Sequence, residues 1–231
     1  MKELLTSGLT ELGLPTDGIP ALERYAELLV EKNKVMNLTA ITEPHDIATL
    51  HFLDCAALLK LADFKNKTVA DIGTGAGFPG MPLRIVEPSV RITLLDSLNK
   101  RIDFLKEVCD DLGLTDVSCI HGRAEEFAAG HRESFDIVTS RAVANLQMLS
   151  ELCLPLVNVG GYFLSMKSVE SEEELNNAKT AIKTLGGQIE KVVDYKIPGT
   201  EVAHRLIFIK KIKETPKKYP RTFAKIKKNP L

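Results

Sequence analysis

A short stretch between residues 69 and 80 carries the residues whose types and spacing predict ligand chemistry. An apolar run typical of a buried strand ends at Asp71, and a glycine then occupies every second position from Gly73 to Gly77. Pro79 follows at a position suited to the first turn of a helix. Glycine lets a backbone approach a ligand closely, and a helix N-terminus offers N–H groups without backbone partners. The stretch therefore predicts a loop that binds a nucleotide-like cofactor.

Two classes of cofactor fit these glycines in two registers. Residues from Gly75 to Gly80 match Gly-x-Gly-x-x-Gly, the dinucleotide fingerprint, and Asp96 stands about where its ribose-binding acid is expected. Residues from Asp71 to Gly77 match Asp-x-Gly-x-Gly-x-Gly, the S-adenosylmethionine loop of class I methyltransferases. The second register is favoured, because a carboxylate at Asp71 repels a pyrophosphate but attracts the ammonium and sulfonium of S-adenosylmethionine. The Tyr-x-x-x-Lys pair that is usual in dehydrogenases of this size does not occur.

Charged residues after three later strands are predicted to complete this site, because the carboxyl ends of parallel strands meet at one edge of a sheet. Asp96 ends the second predicted strand, where it can accept hydrogen bonds from ribose hydroxyls, cap the next helix, or do both. Arg123 and Glu125 follow the third strand, beside the crevice expected to hold an adenine, and Arg141 follows the fourth. Taken alone, Arg123 and Glu125 are more typical of a salt bridge in a loop and Arg141 of a surface arginine, and the glycine loop is what favours a role in the site.

The elements that must position these residues alternate, from residue 68 onward, between short apolar runs and amphipathic stretches. This alternation predicts an α/β fold, a doubly wound and mostly parallel Rossmann-like sheet with helices on both faces. The predicted parallel strands are Thr68–Ile72, Arg91–Leu95, Val117–His121, Phe135–Ser140 and Gly161–Met166. Two later strands, Gln188–Lys196 and His204–Ile212, are joined by only seven residues. A connection that short favours an antiparallel hairpin at one edge of the sheet.

Three regions follow from this pattern. Apolar residues before residue 64 recur close to the helical period, which predicts an N-terminal helical cap over residues 1–64. The alternating part, residues 65–213, is predicted to be the cofactor-binding domain. Residues 214–231 form a basic C-terminal tail.

The composition is that of an ordinary globular protein. Lys and Arg total 30 against 31 Asp and Glu, and 44% of the residues are hydrophobic, which excludes disorder as the main state. No apolar run is long enough to cross a bilayer, so no membrane contact is expected. The four cysteines lie far apart without a Cys-x-x-Cys pair, which predicts reduced thiols, no metal site and a cytoplasmic location.

The near-neutral charge conceals a basic C-terminus. Residues 210–231 contain nine basic side chains and one acid, so this segment carries +8 and the rest of the chain −9. We expect a weakly structured arm that binds RNA phosphates, and a solvated terminus without a partner is the alternative. The residues assigned to phosphate contacts are Lys217, Lys218, Arg221, Lys225, Lys227 and Lys228.

Five motifs in this order resemble one known family. They are Asn37-Leu-Thr-Ala-Ile41, His51-Phe-x-Asp54, Asp71-Ile-Gly-Thr-Gly-Ala-Gly-Phe-Pro79, Arg123-Ala-Glu125 and Ser140-Arg-Ala142. Together they resemble the bacterial small-subunit ribosomal RNA guanine-N7 methyltransferases, also called the glucose-inhibited division protein B family. The resemblance spans residues from about 20 to 167 and two pieces of the tail.

The resemblance implies a class I S-adenosylmethionine-dependent methyltransferase. The implied reaction moves a methyl group from S-adenosylmethionine to N7 of one guanine in the decoding region of 16S rRNA. The implied partner is that RNA or the small ribosomal subunit, and we expect a monomer. The implied cofactor contacts fall on Gly73, Phe78, Ala124, Glu125 and Arg141.

This chemistry agrees with what the chain contains. The N7 lone pair of guanine lies in the ring plane and carries no proton, so no general base is expected. Arg141 and Arg123 are predicted to position the guanine or a nearby phosphate. Asn37 is assigned either to the base or to positioning the cap, and a hydrogen bond is favoured over catalysis for His51 and Asp54. Two other functions stay open: a methyltransferase for a protein or small molecule, and an RNA-binding ribosome-assembly factor without catalysis.

Overall fold

A computed structural model describes residues 1–141 and 144–231 of the chain. Its centre is a sheet whose strands are β1 (Thr68–Ile72), β2 (Arg91–Asp96), β3 (Val117–His121), β4 (Phe135–Arg141), β5 (Val157–Ser168), β6 (Gly187–Lys196) and β7 (Ala203–Lys211). The seven strands lie in the order β3-β2-β1-β4-β5-β7-β6. The first five are parallel, and β7 is antiparallel to both of its neighbours. The predicted α/β sheet with an antiparallel hairpin at one edge is confirmed.

The hairpin enters the sheet with its second strand inward, which the sequence analysis did not specify. Residues Leu206–Ile209 of β7 are at most 3% exposed, so both faces of this strand are covered. In β6, by contrast, most residues are exposed or half-exposed. A strand that is apolar on both faces suits an interior position, and a strand with a polar face suits the edge.

Helices cover both faces of the sheet. They are α1 (Lys2–Leu12), α2 (Ile19–Asn33), α3 (Pro44–Asp46), α4 (Asp54–Leu61), α5 (Gly80–Val86), α6 (Asn99–Leu112), α7 (Ala124–Gly130), α8 (Leu146–Cys153), α9 (Glu172–Thr184) and α10 (Phe223–Lys228). A π-helical stretch, Ile47–Leu53, joins α3 to α4. Apolar residues of α1, α2, α5 and α6 share one core cluster, and those of α7 to α10 share another. Within the described residues, no helix is both long and apolar enough to cross a membrane.

The predicted cap packs directly onto the helices of the sheet. Leu5 of α1 and Leu22 and Tyr25 of α2 are buried in the same cluster as Val69 of β1 and Leu105 of α6. Burying one large apolar side chain stabilises a fold by about 1.5–3 kcal/mol. The cap is therefore held to the sheet by a shared hydrophobic core. This brings the cap close enough to the sheet to contribute residues to a site.

The basic tail packs against the body, so the prediction of a weakly structured arm is wrong. Tyr219 and Ile226 are buried in the same core cluster as α8. The guanidinium of Arg221 pairs with Glu151 of α8, with Nε 2.8 Å from Oε1 and Nη2 2.6 Å from Oε2. The side chain of Glu151 is only 1% exposed, and a buried carboxylate is stable only when it is paired. Arg221, which the sequence analysis assigned to RNA, is thus engaged inside the molecule.

The Glu151–Arg221 pair makes an asymmetric prediction about stability. Arg221→Met leaves a buried carboxylate without its cation, and such a loss costs roughly 3–5 kcal/mol. Glu151→Gln leaves an arginine whose side chain is 21% exposed and can be hydrated, so the expected cost is smaller, about 1–3 kcal/mol. Urea unfolding of both variants measures the two free energies. Negligible losses in both variants would contradict docking of the tail through this pair.

Candidate functional site

A cavity of about 380 Å³ opens at the carboxyl ends of β1 and β2, between the glycine loop and the cap. Five residues predicted to act in the site line it, namely Gly73, Gly75, Phe78, Asp96 and Arg141. A larger cavity of about 600 Å³ lies at the amino ends of β1 and β4 and contains no predicted site residue. Open parallel sheets bind ligands at the carboxyl ends of their strands. The smaller cavity is therefore the candidate site.

The two central glycines of the loop have different tasks. Gly75 and Gly77 adopt φ values of 62° and 106°, a region that favours glycine. A Cβ atom on Gly77 would lie 2.6 Å from the hydroxyl oxygen of Tyr25, so this position is needed for packing against the cap. A Cβ on Gly75 would meet no atom within 4 Å, and Gly75 faces the cavity. Gly75 thus leaves room for a ligand, whereas Gly77, also assigned to the cofactor, lies against α2.

The carboxylate of Asp71 lies under the loop, not in the cavity. The residue is fully buried, and its Oδ2 accepts hydrogen bonds from the hydroxyl of Thr74 at 2.7 Å and from the backbone N of Gly80 at 2.9 Å. Burial raises the pKa of Asp71 to about 6, although these hydrogen bonds act in the opposite direction. The expected direct contact with a charged cofactor group is corrected accordingly, because donors within the loop turn the carboxylate inward. Asp71 holds the shape of the loop.

Asp96 joins the loop to the helix that follows β2. Its Oδ1 accepts a hydrogen bond from the backbone N of Leu98 at 2.9 Å. Leu98 is itself the N-cap of α6, so Asp96 orders the turn before the helix and does not cap it as the sequence allowed. Its Oδ2 accepts one from the backbone N of Gly75 at 2.9 Å and a longer one, 3.3 Å, from Nη1 of Arg101. A carboxylate offers about four acceptor positions. One acceptor position of Asp96 is therefore unused, and another accepts only the long hydrogen bond from the half-exposed Arg101.

The cap supplies a hydrogen bond to the loop that the sequence analysis missed. Tyr25 is fully buried and donates its hydroxyl hydrogen to the carbonyl oxygen of Ala76. Its ring packs against Phe52 and Phe78, with centroids 5.4 Å and 5.7 Å away. The helical period indicates that Tyr25 is buried, and a buried tyrosine hydroxyl needs a partner. Which partner it takes depends on a contact across 51 residues.

Arg141 fastens the cap to the carboxyl end of β4. Its Nη1 donates to the backbone oxygen of Leu50 at 3.1 Å and to Oδ2 of Asp54 at 3.2 Å. Its Nη2 donates to Nδ1 of His51 at 3.0 Å, and its guanidinium lies 4.9 Å from the ring centroid of Phe78. Removing Arg141 would take a charged donor from the fully buried Asp54 and leave it with His204, at a cost of roughly 1–3 kcal/mol. Truncation of the side chain at position 141 therefore lowers the stability of the fold, in addition to any effect on ligand binding.

His51 is neutral in this arrangement. Burial, and then the positive charge of Arg141, lower the pKa of His51 to about 3. The imidazole stacks on Phe78 with centroids 4.2 Å apart and planes 18° from parallel. Its Nε2 lies 2.9 Å from Oγ1 of Thr39. These contacts give His51 the hydrogen-bonding role favoured from the sequence.

The loop after α2 forms the wall of the cavity on the cap side. Leu38 and Thr39 line the cavity, and Asn33 holds their backbone. Oδ1 of Asn33 accepts hydrogen bonds from the backbone N of Leu38 at 2.7 Å and of Thr39 at 3.0 Å, and Nδ2 donates to the oxygen of Thr39 at 3.0 Å. Asn37 is exposed beside them. The residue that positions this loop is therefore Asn33, which the sequence analysis did not single out.

The residues after β3 lie outside the cavity. Arg123 is exposed, and its guanidinium carbon is 5.8 Å from the ring centroid of Phe223 in α10. Ala124 and Glu125 begin α7, and Oε1 of Glu125 accepts a hydrogen bond from the backbone N of Phe223 at 3.3 Å. Their cofactor contacts stay predictions. Ala142, the last residue of the Ser-Arg-Ala motif, lies outside the described residues.

The described residues contain no group of three or more His, Cys, Asp or Glu side chains that is placed to hold a metal ion. The four cysteines are free, and Cys109 and Cys119 approach to 4.0 Å between their sulfur atoms. What the candidate site offers is a glycine-lined wall, a buried acid with spare acceptor capacity, and the hydroxyl of Thr39. These groups suit a polar ligand with hydroxyl or ammonium donors.

Comparison with solved structures reveals the same fold in proteins of low sequence identity. TYW2 of M. jannaschii in complex with AdoMet superposes with a TM-score of 0.56 at 14% identity, over 69% of this chain and 75% of that one. TrmN from Thermus thermophilus gives a TM-score of 0.54 at 21% identity, over 68% of this chain and 48% of that one. The fold is that of the class I S-adenosylmethionine-dependent methyltransferases.

Comparison of sequences is more specific. A protein of Clostridium botulinum (strain Loch Maree / Type A3) named "Ribosomal RNA small subunit methyltransferase G" is 51% identical over 90% of this chain and 88% of its own length. A protein of the same name from Alkaliphilus metalliredigens is 46% identical over 100% of this chain and 98% of its own length. Residues 18–206 match the family described as "rRNA small subunit methyltransferase G". The chain therefore belongs to the rRNA small subunit methyltransferase G family.

Proposed function

We propose that the protein transfers a methyl group from S-adenosylmethionine to N7 of a single guanine of 16S rRNA, guanine-527 in the decoding region. The observation that carries the proposal is the glycine-loop cavity with Asp96 at the end of β2, in a chain of this family. The choice of guanine N7 rests on the motif resemblance and on the chemistry of the site. We place the reaction in the cytoplasm, on 16S rRNA or on the small subunit or its assembly intermediate.

The cofactor is assigned to the wall formed by Gly73, Gly75 and Asp96. S-adenosylmethionine supplies an electrophilic methyl group on a sulfonium. Asp96 accepts hydrogen bonds from the ribose through its unused acceptor position and through the one that Arg101 holds at 3.3 Å. The buried carboxylate of Asp71 adds negative charge beneath the loop, which favours a cationic ligand above it. Gly75 leaves the space that this ligand needs.

The acceptor needs positioning and no proton transfer. Guanine N7 carries a lone pair and no hydrogen, so attack on the methyl group leaves no proton to remove at that atom. This agrees with a cavity whose histidine, His51, is neutral and has both ring nitrogens in hydrogen bonds. Holding N7 in line with the methyl group supplies the rate enhancement, and well-oriented systems gain about 7–11 kcal/mol in this way.

The exposed lysines of the tail are assigned to the RNA backbone. The lysines of α10 lie near Arg123, at the carboxyl end of the sheet, because Phe223 faces the guanidinium of Arg123. Lys217 and Lys218 lie instead beside Arg132, which precedes β4 and binds the backbone oxygens of Pro216 and Tyr219. Phosphate contacts of this kind position an RNA without reading its sequence. The lysines are Lys217, Lys218, Lys225, Lys227 and Lys228.

The decisive experiment offers 16S rRNA and small subunits that lack the modification to the protein with S-adenosylmethionine labelled in its methyl group. We expect label in the RNA, and chemical cleavage at 7-methylguanine should map it to one guanine. Label on ribosomal protein or on a small molecule would favour the other class of substrate. RNA binding without transfer would favour an assembly factor, and either result would overturn the proposal.

The cofactor assignment predicts different effects for two neighbouring substitutions. Asp96→Asn removes the charge that strengthens the ribose hydrogen bonds, so S-adenosylmethionine should bind about 10- to 100-fold more weakly in calorimetry. Arg101→Met is the matched control. It removes only the competitor for Oδ2, so binding should be equal to or tighter than that of the unsubstituted protein. Unchanged binding in Asp96→Asn would contradict the assignment.

A further inference from the structure

A chain of hydrogen bonds with a forced direction runs from β4 to the wall of the cavity. It begins with Arg141, whose Nη2 lies 3.0 Å from Nδ1 of His51. A guanidinium has N–H donors and no acceptor, so Nδ1 must be the acceptor. The hydrogen of the neutral imidazole is therefore on Nε2.

The second step sets the role of Thr39. Nε2 of His51 lies 2.9 Å from Oγ1 of Thr39, so the Nε2–H group donates to that oxygen. The backbone N of Ile41 donates to the same oxygen at 3.0 Å. A hydroxyl oxygen has two acceptor positions and one hydrogen. Both acceptor positions are taken, so Thr39 can act toward any further group only as a donor.

Thr39 is held firmly in place for this role. Asn33 binds its backbone N and its carbonyl oxygen, each at 3.0 Å. His51, its side-chain partner, is itself fixed by stacking on Phe78. Within residues 1–141 and 144–231, the hydroxyl hydrogen of Thr39 has no acceptor, and Thr39 lines the cavity. A positioned donor thus faces the space between the cap and the glycine loop.

The edge of guanine that carries N7 matches this donor. Guanine presents N7 and O6 side by side as acceptors, whereas adenine presents N7 beside an amino group that donates. Three of the five N–H groups of Arg141 already donate to Leu50, Asp54 and His51, so its guanidinium is fixed by contacts with the cap. The hydroxyl of Thr39 has both acceptor positions filled, so its hydrogen is the group on the cap side that we match to O6.

We propose that Thr39 donates its hydroxyl hydrogen to O6 of the target guanine, and so selects guanine and places N7 toward the cofactor. The inference rests on the proposed transfer to guanine N7 and adds the residue that recognises the base. The arginine, the histidine and Asn33 are then positioning residues, because they act through Thr39. Leaving one buried hydrogen-bonding group without its partner weakens an interaction by about 10- to 100-fold.

The test combines a variant of the protein with a variant of the base. Methyl transfer is measured as kcat/KM on 16S rRNA that carries either guanine or 2-aminopurine at the target position. 2-Aminopurine keeps N7 but has a hydrogen in place of O6. For the unsubstituted protein, we expect this change to reduce kcat/KM by about 10- to 100-fold beyond its effect on N7 reactivity. Thr39→Val should have a low kcat/KM on guanine. Its further loss of kcat/KM on changing to 2-aminopurine should be at least about tenfold smaller than that of the unsubstituted protein.

Two controls separate recognition from folding. Thr39→Ser keeps the hydroxyl and should behave as the unsubstituted protein on both RNAs. Thr39→Val should bind S-adenosylmethionine in calorimetry as the unsubstituted protein does. The factor by which Thr39→Val lowers kcat/KM is compared between the two RNAs. If that factor were the same on both, removal of the hydroxyl and removal of O6 would act independently, and the inference would be wrong. If the unsubstituted protein methylated no guanine, the proposed function would fail and this inference with it.

Discussion

The buried carboxylate of Asp54 is the constraint on which the arrangement of the cap and the sheet depends. A carboxylate that has lost its hydration must be surrounded by donors, and Asp54 is 0% exposed. Its donors come from three strands: Nη1 of Arg141 in β4, the hydroxyl of Tyr195 in β6 and Nδ1 of His204 in β7. Hydrogen bonding to Asp54 raises the pKa of His204, so the carboxylate favours the charged form of this partner. Asp54, a residue of the cap, therefore fixes the position of the cap relative to β4, β6 and β7.

The geometry of the candidate site depends on the contacts of the buried Asp54 carboxylate. Because Nη1 of Arg141 binds Asp54, Nη2 of Arg141 faces His51, and the ring of His51 in turn contacts Thr39. On the opposite wall, the hydroxyl of Tyr25 holds the glycine loop through Ala76. Both walls of the cavity are therefore positioned by contacts between the cap and the sheet. A site built in this way needs both regions, which accounts for a cap that shares the hydrophobic core of the sheet.

Local patterns predicted the framework well, and long-range pairing explains what they missed. The bounds of β1 and β3 agree with the prediction at every residue, because short apolar runs between turn residues have one simple interpretation. The docking of the tail was missed because Glu151, which holds Arg221, lies 70 residues earlier in the chain. The inward orientation of Asp71 depends on hydrogen bonds from the loop that no spacing rule contains. Thr39 escaped notice because its role is set by the protonated nitrogen of another residue.

The state of the His51 ring tests this account most directly, because the chain from Asp54 to Thr39 passes through it. Nitrogen-15 NMR of the imidazole reports both its charge and which nitrogen carries the hydrogen. With a pKa of about 3, His51 should stay neutral between pH 5 and pH 8, with its hydrogen on Nε2 and Nδ1 as the acceptor. A ring that titrates near its ordinary pKa, or one that carries its hydrogen on Nδ1, would contradict the account.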